Sequence, residues 1–142
     1  MSEQKNPLQM LFHWAAKHPD NPFLYFATNS EWSSLTWGQV ADQVRRMAAA
    51  LKALLRPGSK VAISGRNTPH WIMADQAIAM AGMVSIGLYP KQSEAHTRYI
   101  LEHSESKLVF VGPARDLAEF MAAIPKGIKT VAFPYPDVPA CD

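Results

Sequence analysis

The chain has 142 residues, of which 48% are hydrophobic and 18% are charged, a composition typical of one folded domain and unlike that of a disordered protein. Fourteen Lys and Arg face twelve Asp and Glu, for a formal net charge of +2, and the longest basic run is Arg45-Arg46, so we expect no binding to nucleic acid. The single cysteine, Cys141, excludes a disulfide framework. This unpaired cysteine, together with the lack of an apolar stretch after the N-terminus that could be a signal peptide, favours a cytoplasmic location.

The N-terminal part of the chain predicts a helix followed by two paired strands. Asn6 and Pro7 are a capping residue and a first-turn proline, so a helix begins there and ends at His18. Two short aromatic runs at residues 23–27 and 35–37 flank a turn-rich stretch. Such a pattern indicates a pair of strands.

A longer helix and a buried strand come next. Thr36 and Gln39 form a capping box ahead of apolar residues that recur at helical spacing. The helix ends before Pro57-Gly58, and the β-branched run at residues 60–65 predicts a buried strand. The apolar face of the helix consists of Val40, Val44, Met47, Ala48, Leu51 and Leu55.

The remainder of the chain alternates helices and strands. Thr68-Pro69 begins a helix that ends at Gly82. Strands are predicted at residues 84–89, 107–111 and 130–133, and helices at residues 93–103 and 116–124. The alternation predicts an α/β fold with a mainly parallel sheet of about five strands in a Rossmann-like or flavodoxin-like order, with helices on both faces. We expect one α/β subdomain at residues 1–133 and a proline-rich connector or truncated end at residues 134–142.

The sequence lacks four common phosphate-binding and catalytic motifs. Walker-type phosphate loops, Gly-x-Gly-x-x-Gly turns, Gly-x-Ser-x-Gly elbows and His-Glu-x-x-His pairs are all absent from it. His96 and His103 lie seven positions apart on one predicted helix, farther than the i, i+4 spacing that lets two imidazoles bind one ion. Cys141 has no evident base beside it. We therefore predict no catalytic residue and no metal site in this chain.

The turn that follows the strand at residues 60–65 is a candidate anion site, formed by Gly65, Arg66 and Thr68. A strand that runs through a glycine turn into a helix presents free N–H groups to an anion, and Arg66 adds a positive charge. In the alternative interpretation, Gly65 only permits the turn, Thr68 caps the helix and Arg66 is solvated. Because the fuller glycine fingerprint is missing, this alternative is favoured. A second glycine-containing stretch, residues 81–90, is explained mainly by packing.

Six short motifs follow one another along the chain: Leu35-Thr36-Trp37-Gly38-Gln39-Val40, Ala48-Ala49-Ala50-Leu51, Pro57-Gly58-Ser59-Lys60-Val61-Ala62-Ile63, Arg66-Asn67-Thr68-Pro69-His70-Trp71, Ala81-Gly82 with Leu88-Tyr89-Pro90, and Tyr99-Ile100-Leu101-Glu102-His103-Ser104. Their order resembles that of the adenylate-forming acyl-activating enzymes. The single-proline ending Leu88-Tyr89-Pro90 is more similar to fatty acyl-CoA ligases than to the adenylation domains of peptide synthetases. Ser59 and Lys91 depart from the family pattern, which favours Asp and Thr at these positions.

The resemblance implies the first α/β subdomain of a longer enzyme, which activates a fatty acid or other carboxylate with ATP and Mg²⁺ and passes it to coenzyme A. In that family the phosphate loop, the Mg²⁺-binding Glu and the C-terminal Lys come after the matched region. The resemblance therefore implies no catalytic residue and no bound cofactor in this chain, which alone is expected to be inactive. Its expected partner is the remainder of its own polypeptide, and self-association is considered as well.

Two other functions remain open. The chain could be a free-standing, non-catalytic α/β interaction module, which would have a protein partner. It could also be a small nucleotide- or coenzyme A-binding domain that uses the turn at residues 65–69.

Overall fold

Across residues 5–89, 91–136 and 138, which the computed structural model describes, the chain forms five helices and six strands. The helices are α1 (Pro7–Lys17), α2 (Trp37–Leu54), α3 (Pro69–Met80), α4 (Glu94–His103) and α5 (Leu117–Ala123). The strands are β1 (Pro22–Thr28), β2 (Glu31–Thr36), β3 (Lys60–Ser64), β4 (Val84–Gly87), β5 (Leu108–Val111) and β6 (Lys129–Ala132). Every predicted helix and strand is present. Within the described residues, no helix is both long and apolar enough to cross a membrane.

Side-chain caps begin the helices where the sequence predicts them. The side chains of Asn6 and Thr36 accept hydrogen bonds from the backbone N–H groups of Gln9 and Gln39, whose side chains accept in return from the cap N–H groups. The Thr68 hydroxyl caps α3 in a similar way. These bonds satisfy N–H groups that the first turn of a helix leaves free.

The second strand of the hairpin begins four residues earlier than the sequence predicts. It starts at Glu31, and Trp37 is the first residue of α2 and not the end of a strand. Asn29 and Ser30 both have positive φ, 50° and 67°, as a two-residue hairpin turn of type I′ requires. Residues 31–34 are exposed and lack an apolar pattern, and only their pairing with β1 makes them a strand.

Strands β3 to β6 form one parallel sheet in the order β4-β3-β5-β6. Counted from β3, this is the 2-1-3-4 order of flavodoxin-like folds, as predicted. The sheet has four strands and not about five, because β1 and β2 pair only with each other in a separate antiparallel hairpin. The chain passes from β3 to β4 on one side and later to β5 on the other, so the carboxyl ends of β3 and β5 form a topological switch point.

Helices pack on both faces of this sheet, as predicted. Val61 and Ile63 of β3 point to the face that carries α2 and α3. Ala62 and Val109 point to the opposite face, where Leu101 of α4 is fully buried. Because successive side chains of a strand alternate between faces, β3 and β5 contribute to two separate hydrophobic cores.

Candidate functional site

A crevice of about 670 Å³ lies at the carboxyl edge of the sheet, beside the switch point. Open α/β sheets bind their ligands at this position. Arg66 follows β3, Lys91 follows β4 and Arg115 follows β5, so three separate loops each contribute one cation. The other lining residues are Gln92, Ser93 and Asp116.

A direct backbone contact between Gly65 and Gly112 holds two of these loops together. Gly65 has a φ of +122°, and a Cβ atom placed there would lie 2.7 Å from the Gly112 Cα atom. The Gly112 N–H donates to the Ser64 carbonyl oxygen at 2.8 Å, and the Arg66 N–H donates to the Pro113 carbonyl oxygen at 2.9 Å. The loops after β3 and β5 therefore stay paired beyond the strands, which positions Arg66 at the crevice.

The crevice carries an excess of positive charge, with three cations and the single carboxylate of Asp116. Arg66, Lys91 and Arg115 are exposed. In the part of the chain that the structure describes, the two salt bridges lie within α2 and α4 and involve none of these cations. A guanidinium group matches phosphate oxygens in a two-pronged geometry, and a Lys ammonium group adds a mobile charge. The arrangement is suited to a ligand with one or more phosphate groups.

The structure separates the three residues predicted for an anion site. Arg66 lines the crevice, whereas Gly65 faces a neighbouring pocket lined by Trp71 and Tyr89. The Thr68 hydroxyl accepts a hydrogen bond from the Trp71 N–H at 3.3 Å and so caps α3. The capping role that the sequence offers as an alternative for Thr68 is thus present, and anion binding at these residues stays a prediction.

The sequence does not predict Lys91 or Arg115 as site residues. Each follows the end of a strand in a parallel sheet, and the carboxyl ends of parallel strands meet at one edge. That position in the alternating pattern is the signal that could have identified them. No short motif or spacing in the sequence links them to Arg66.

In the second stretch, residues 81–90, the packing explanation does not hold for the glycines, because neither is in a contact too close for a side chain. Gly82 has a φ of +72°, which suits the end of α3, and an added Cβ would meet no atom within 4 Å. At Gly87 an added Cβ would lie 3.6 Å from the Trp71 ring, an ordinary contact. Pro90 lies outside the described residues, as does Cys141.

His70 connects the start of α3 to the chain that follows β6. Its Nδ1 atom lies 3.0 Å from the Tyr135 hydroxyl, and its ring centroid lies 5.7 Å from that of Phe133. Burial lowers the pKa of His70, so the neutral imidazole is favoured. Among the described residues, no group of three His, Cys, Asp or Glu is placed to hold a metal ion.

The sequence of this chain matches one protein family and is similar to the sequences of several ligases. Residues 11–137 match the family described as AMP-binding enzyme. Long chain acyl-CoA synthetase 1 of Arabidopsis thaliana is 38% identical over 77 residues, which cover 54% of this chain and 12% of that protein. Long-chain-fatty-acid--CoA ligase FadD15 of Mycobacterium bovis is 26% identical over 129 residues, which cover 88% of this chain and 22% of that protein. The chain thus spans less than a quarter of the length of either relative.

Solved structures share the same arrangement of elements. IdnL1 superposes with a TM-score of 0.80 at 19% identity, over 98% of this chain and 28% of that chain. Acetoacetyl-CoA Synthetase from Streptomyces lividans superposes with a TM-score of 0.79 at 25% identity, over 95% of this chain and 23% of that chain. The α/β fold is therefore found within larger proteins.

Proposed function

Because the chain belongs to the AMP-binding enzyme family, we propose that it forms the first α/β subdomain of an AMP-forming ligase that joins long-chain fatty acids to coenzyme A in the cytoplasm. The longer protein would convert a carboxylate and ATP, with Mg²⁺, into an acyl-adenylate and pyrophosphate. Transfer of the acyl group to coenzyme A would then release AMP. The observation that carries this proposal is the family match over residues 11–137. The names of the two relatives support a long-chain fatty acid as the substrate.

The chemistry of the described residues agrees with a supporting role for this chain. Adenylate formation requires a cradle for the ATP phosphates and a carboxylate for Mg²⁺. The crevice provides cations but only one carboxylate, Asp116. In this proposal the chain contributes the sheet and one wall of the site, and the remainder of the polypeptide contributes the catalytic residues.

We expect the 142-residue chain alone to release no pyrophosphate above background when it is mixed with ATP, Mg²⁺ and palmitate. The reason is that its residues supply no complete phosphate cradle. An antibody against the chain should detect a native protein several times heavier than 15.8 kDa, and the immunopurified protein should release pyrophosphate when palmitate is added. Turnover by the short chain would contradict the proposal, and a native band at 15.8 kDa would favour the free-standing module.

A second function, binding of the phosphate groups of a nucleotide or of coenzyme A by this chain itself, is supported by the three cations of the crevice. They come from three loops and converge on one opening. Convergent positive charge with few competing carboxylates favours ligands that carry several negative charges.

We expect Arg66→Ala and Arg115→Ala each to weaken binding of coenzyme A to the chain about tenfold, because a hydrogen bond to a charged group contributes about 1.5 kcal/mol. Titration calorimetry at low ionic strength measures this, and added salt should weaken binding further. Lys52→Ala is the matched control, since Lys52 is exposed on α2 and outside the crevice. Absence of heat with millimolar coenzyme A and ATP would exclude this second function.

A further inference from the structure

An apolar groove of about 360 Å³ runs alongside α2. Leu108 and Phe110 of β5 and Val131 of β6 form its floor. Met47 and Leu54 of α2 form one wall. The floor residues belong to or pack against the same hydrophobic core that α2 and α3 cover, so the groove lies on that face of the sheet.

Helix α2 carries two neighbouring apolar stripes, and only one of them is buried. Val40 and Leu51 are 0% and 2% exposed in the core. Met47 is half-buried against the core and also lines the groove, whereas Ala50 and Leu54 are exposed there, Leu54 to 51%. A surface helix that packs on one side needs a single apolar stripe. The second stripe therefore exceeds what the packing within the described residues requires.

The dimensions of the groove fit one α-helix. Its floor is two neighbouring strands, and a helix with its side chains is about 10 Å wide, roughly the width of two strands. Its wall extends from Gln43 to Leu54, a distance of about 16 Å along a helix, or three turns. The small side chain of Ala50 lies along this wall and allows a neighbouring helix to approach closely.

The described chain that follows β6 does not fill the groove. Pro134 and His70 line the groove, and the Tyr135 hydroxyl is hydrogen-bonded to His70 beside them. Val138 is then buried in the core on the opposite face of the sheet. This segment therefore crosses the carboxyl edge of the sheet and leaves the groove open.

We propose that the groove binds one amphipathic helix of about three turns from the remainder of the same polypeptide, with its apolar side against Leu54 and Val131. The inference rests on the proposed function, because the helix belongs to the part of a ligase outside this chain. The two ligase relatives are several times longer than the segments matched here, so such a protein has ample chain to supply it. The apolar floor and wall select a helix with aliphatic or aromatic side chains.

Cysteine labelling tests the occupant directly. Leu54→Cys is made in a Cys141→Ser background, both in the 142-residue chain and in the longer native protein. The rate of reaction with a maleimide is read by mass spectrometry of the peptide that contains position 54. We expect rapid labelling in the short chain and labelling at least about a hundredfold slower in the longer protein, because the thiol then reacts only after local opening.

Two variants serve as controls for this experiment. Glu102→Cys places a thiol at an exposed position of α4 on the opposite face, and we expect it to label rapidly in both proteins. Ala50→Cys repeats the groove measurement at a second position if Leu54→Cys folds poorly, as judged by circular dichroism.

Equal labelling rates at position 54 in the two proteins would overturn the inference. Slow labelling in the short chain, with a dimeric mass in sedimentation, would assign the groove to a second copy and would overturn it as well. Pyrophosphate release by the longer protein is measured separately. An active protein with rapid labelling contradicts only the groove assignment, whereas an inactive protein with slow labelling contradicts only the proposed ligase function.

Discussion

Gly65→Ala is expected to lower the free energy of unfolding by about 3–5 kcal/mol. The φ of Gly65 is +122°, and an added Cβ would lie 2.7 Å from the Cα atom and 2.8 Å from the carbonyl carbon of Gly112. Both contacts are with backbone that directly follows the buried strand β5, so neither is relieved by rotation of a side chain. Urea unfolding of the 142-residue chain, followed by tryptophan fluorescence, measures the loss.

Gly58→Ala is the matched control for this prediction. Gly58 also has a positive φ, +80°, but an added Cβ would meet no atom within 4 Å. The left-handed conformation alone should therefore cost about 1–2 kcal/mol. Equal losses at the two positions would contradict the close contact between Gly65 and Gly112, and with it the constraint that positions Arg66 at the crevice.

The elements that the sequence predicts best are those whose signals are local. Asn6, Thr36 and Thr68 each cap a helix through a bond to a residue three positions along the chain, so a short stretch of sequence contains the whole interaction. The polar strand that begins at Glu31 differs, because only its pairing with β1 makes it a strand. Its alternation of side chains carries no apolar pattern that could predict it.

The candidate site shows the same division. The glycine turn and Arg66 can be proposed as a candidate site from adjacent residues alone. Lys91 and Arg115 join Arg66 only because the order of the strands brings three carboxyl ends to one edge. Alternating helices and strands predict a parallel sheet, but the side of β3 on which each later strand lies depends on contacts between distant residues.

Predicting the groove from the sequence would require knowing which apolar residues of α2 line it. Helical spacing assigns Met47 to the same apolar face as Val40 and Val44, and the structure shows Met47 half-buried, in contact with that core and also at the edge of the groove. Periodicity identifies the apolar face of a helix. It does not show which residues of that face pack in the core and which line an open groove. That division requires the positions of β5 and β6.

Leu51→Ala is expected to destabilise the 142-residue chain by about 2–5 kcal/mol, and Leu54→Ala by no more than about 0.5 kcal/mol. The two residues lie three positions apart on α2, but Leu51 is 2% exposed within the core and Leu54 is 51% exposed at the groove. Both variants replace Leu with Ala on the same helix, so the change in helix propensity is the same for the two. The difference between the two losses in urea unfolding therefore measures burial.

The same pair of variants distinguishes an open groove from an occupied one. In the short chain a loss at Leu54 as large as that at Leu51 would contradict an open groove, because the side chain would then have to be packed against a second molecule. In the longer protein we expect Leu54→Ala to become more costly while Leu51→Ala is little changed, since a docked helix would bury the 51% of Leu54 that is exposed and so add about 0.8–1.5 kcal/mol of hydrophobic stabilisation. Unfolding of both proteins in urea thus reports whether the second apolar stripe of α2 is buried by the rest of the polypeptide.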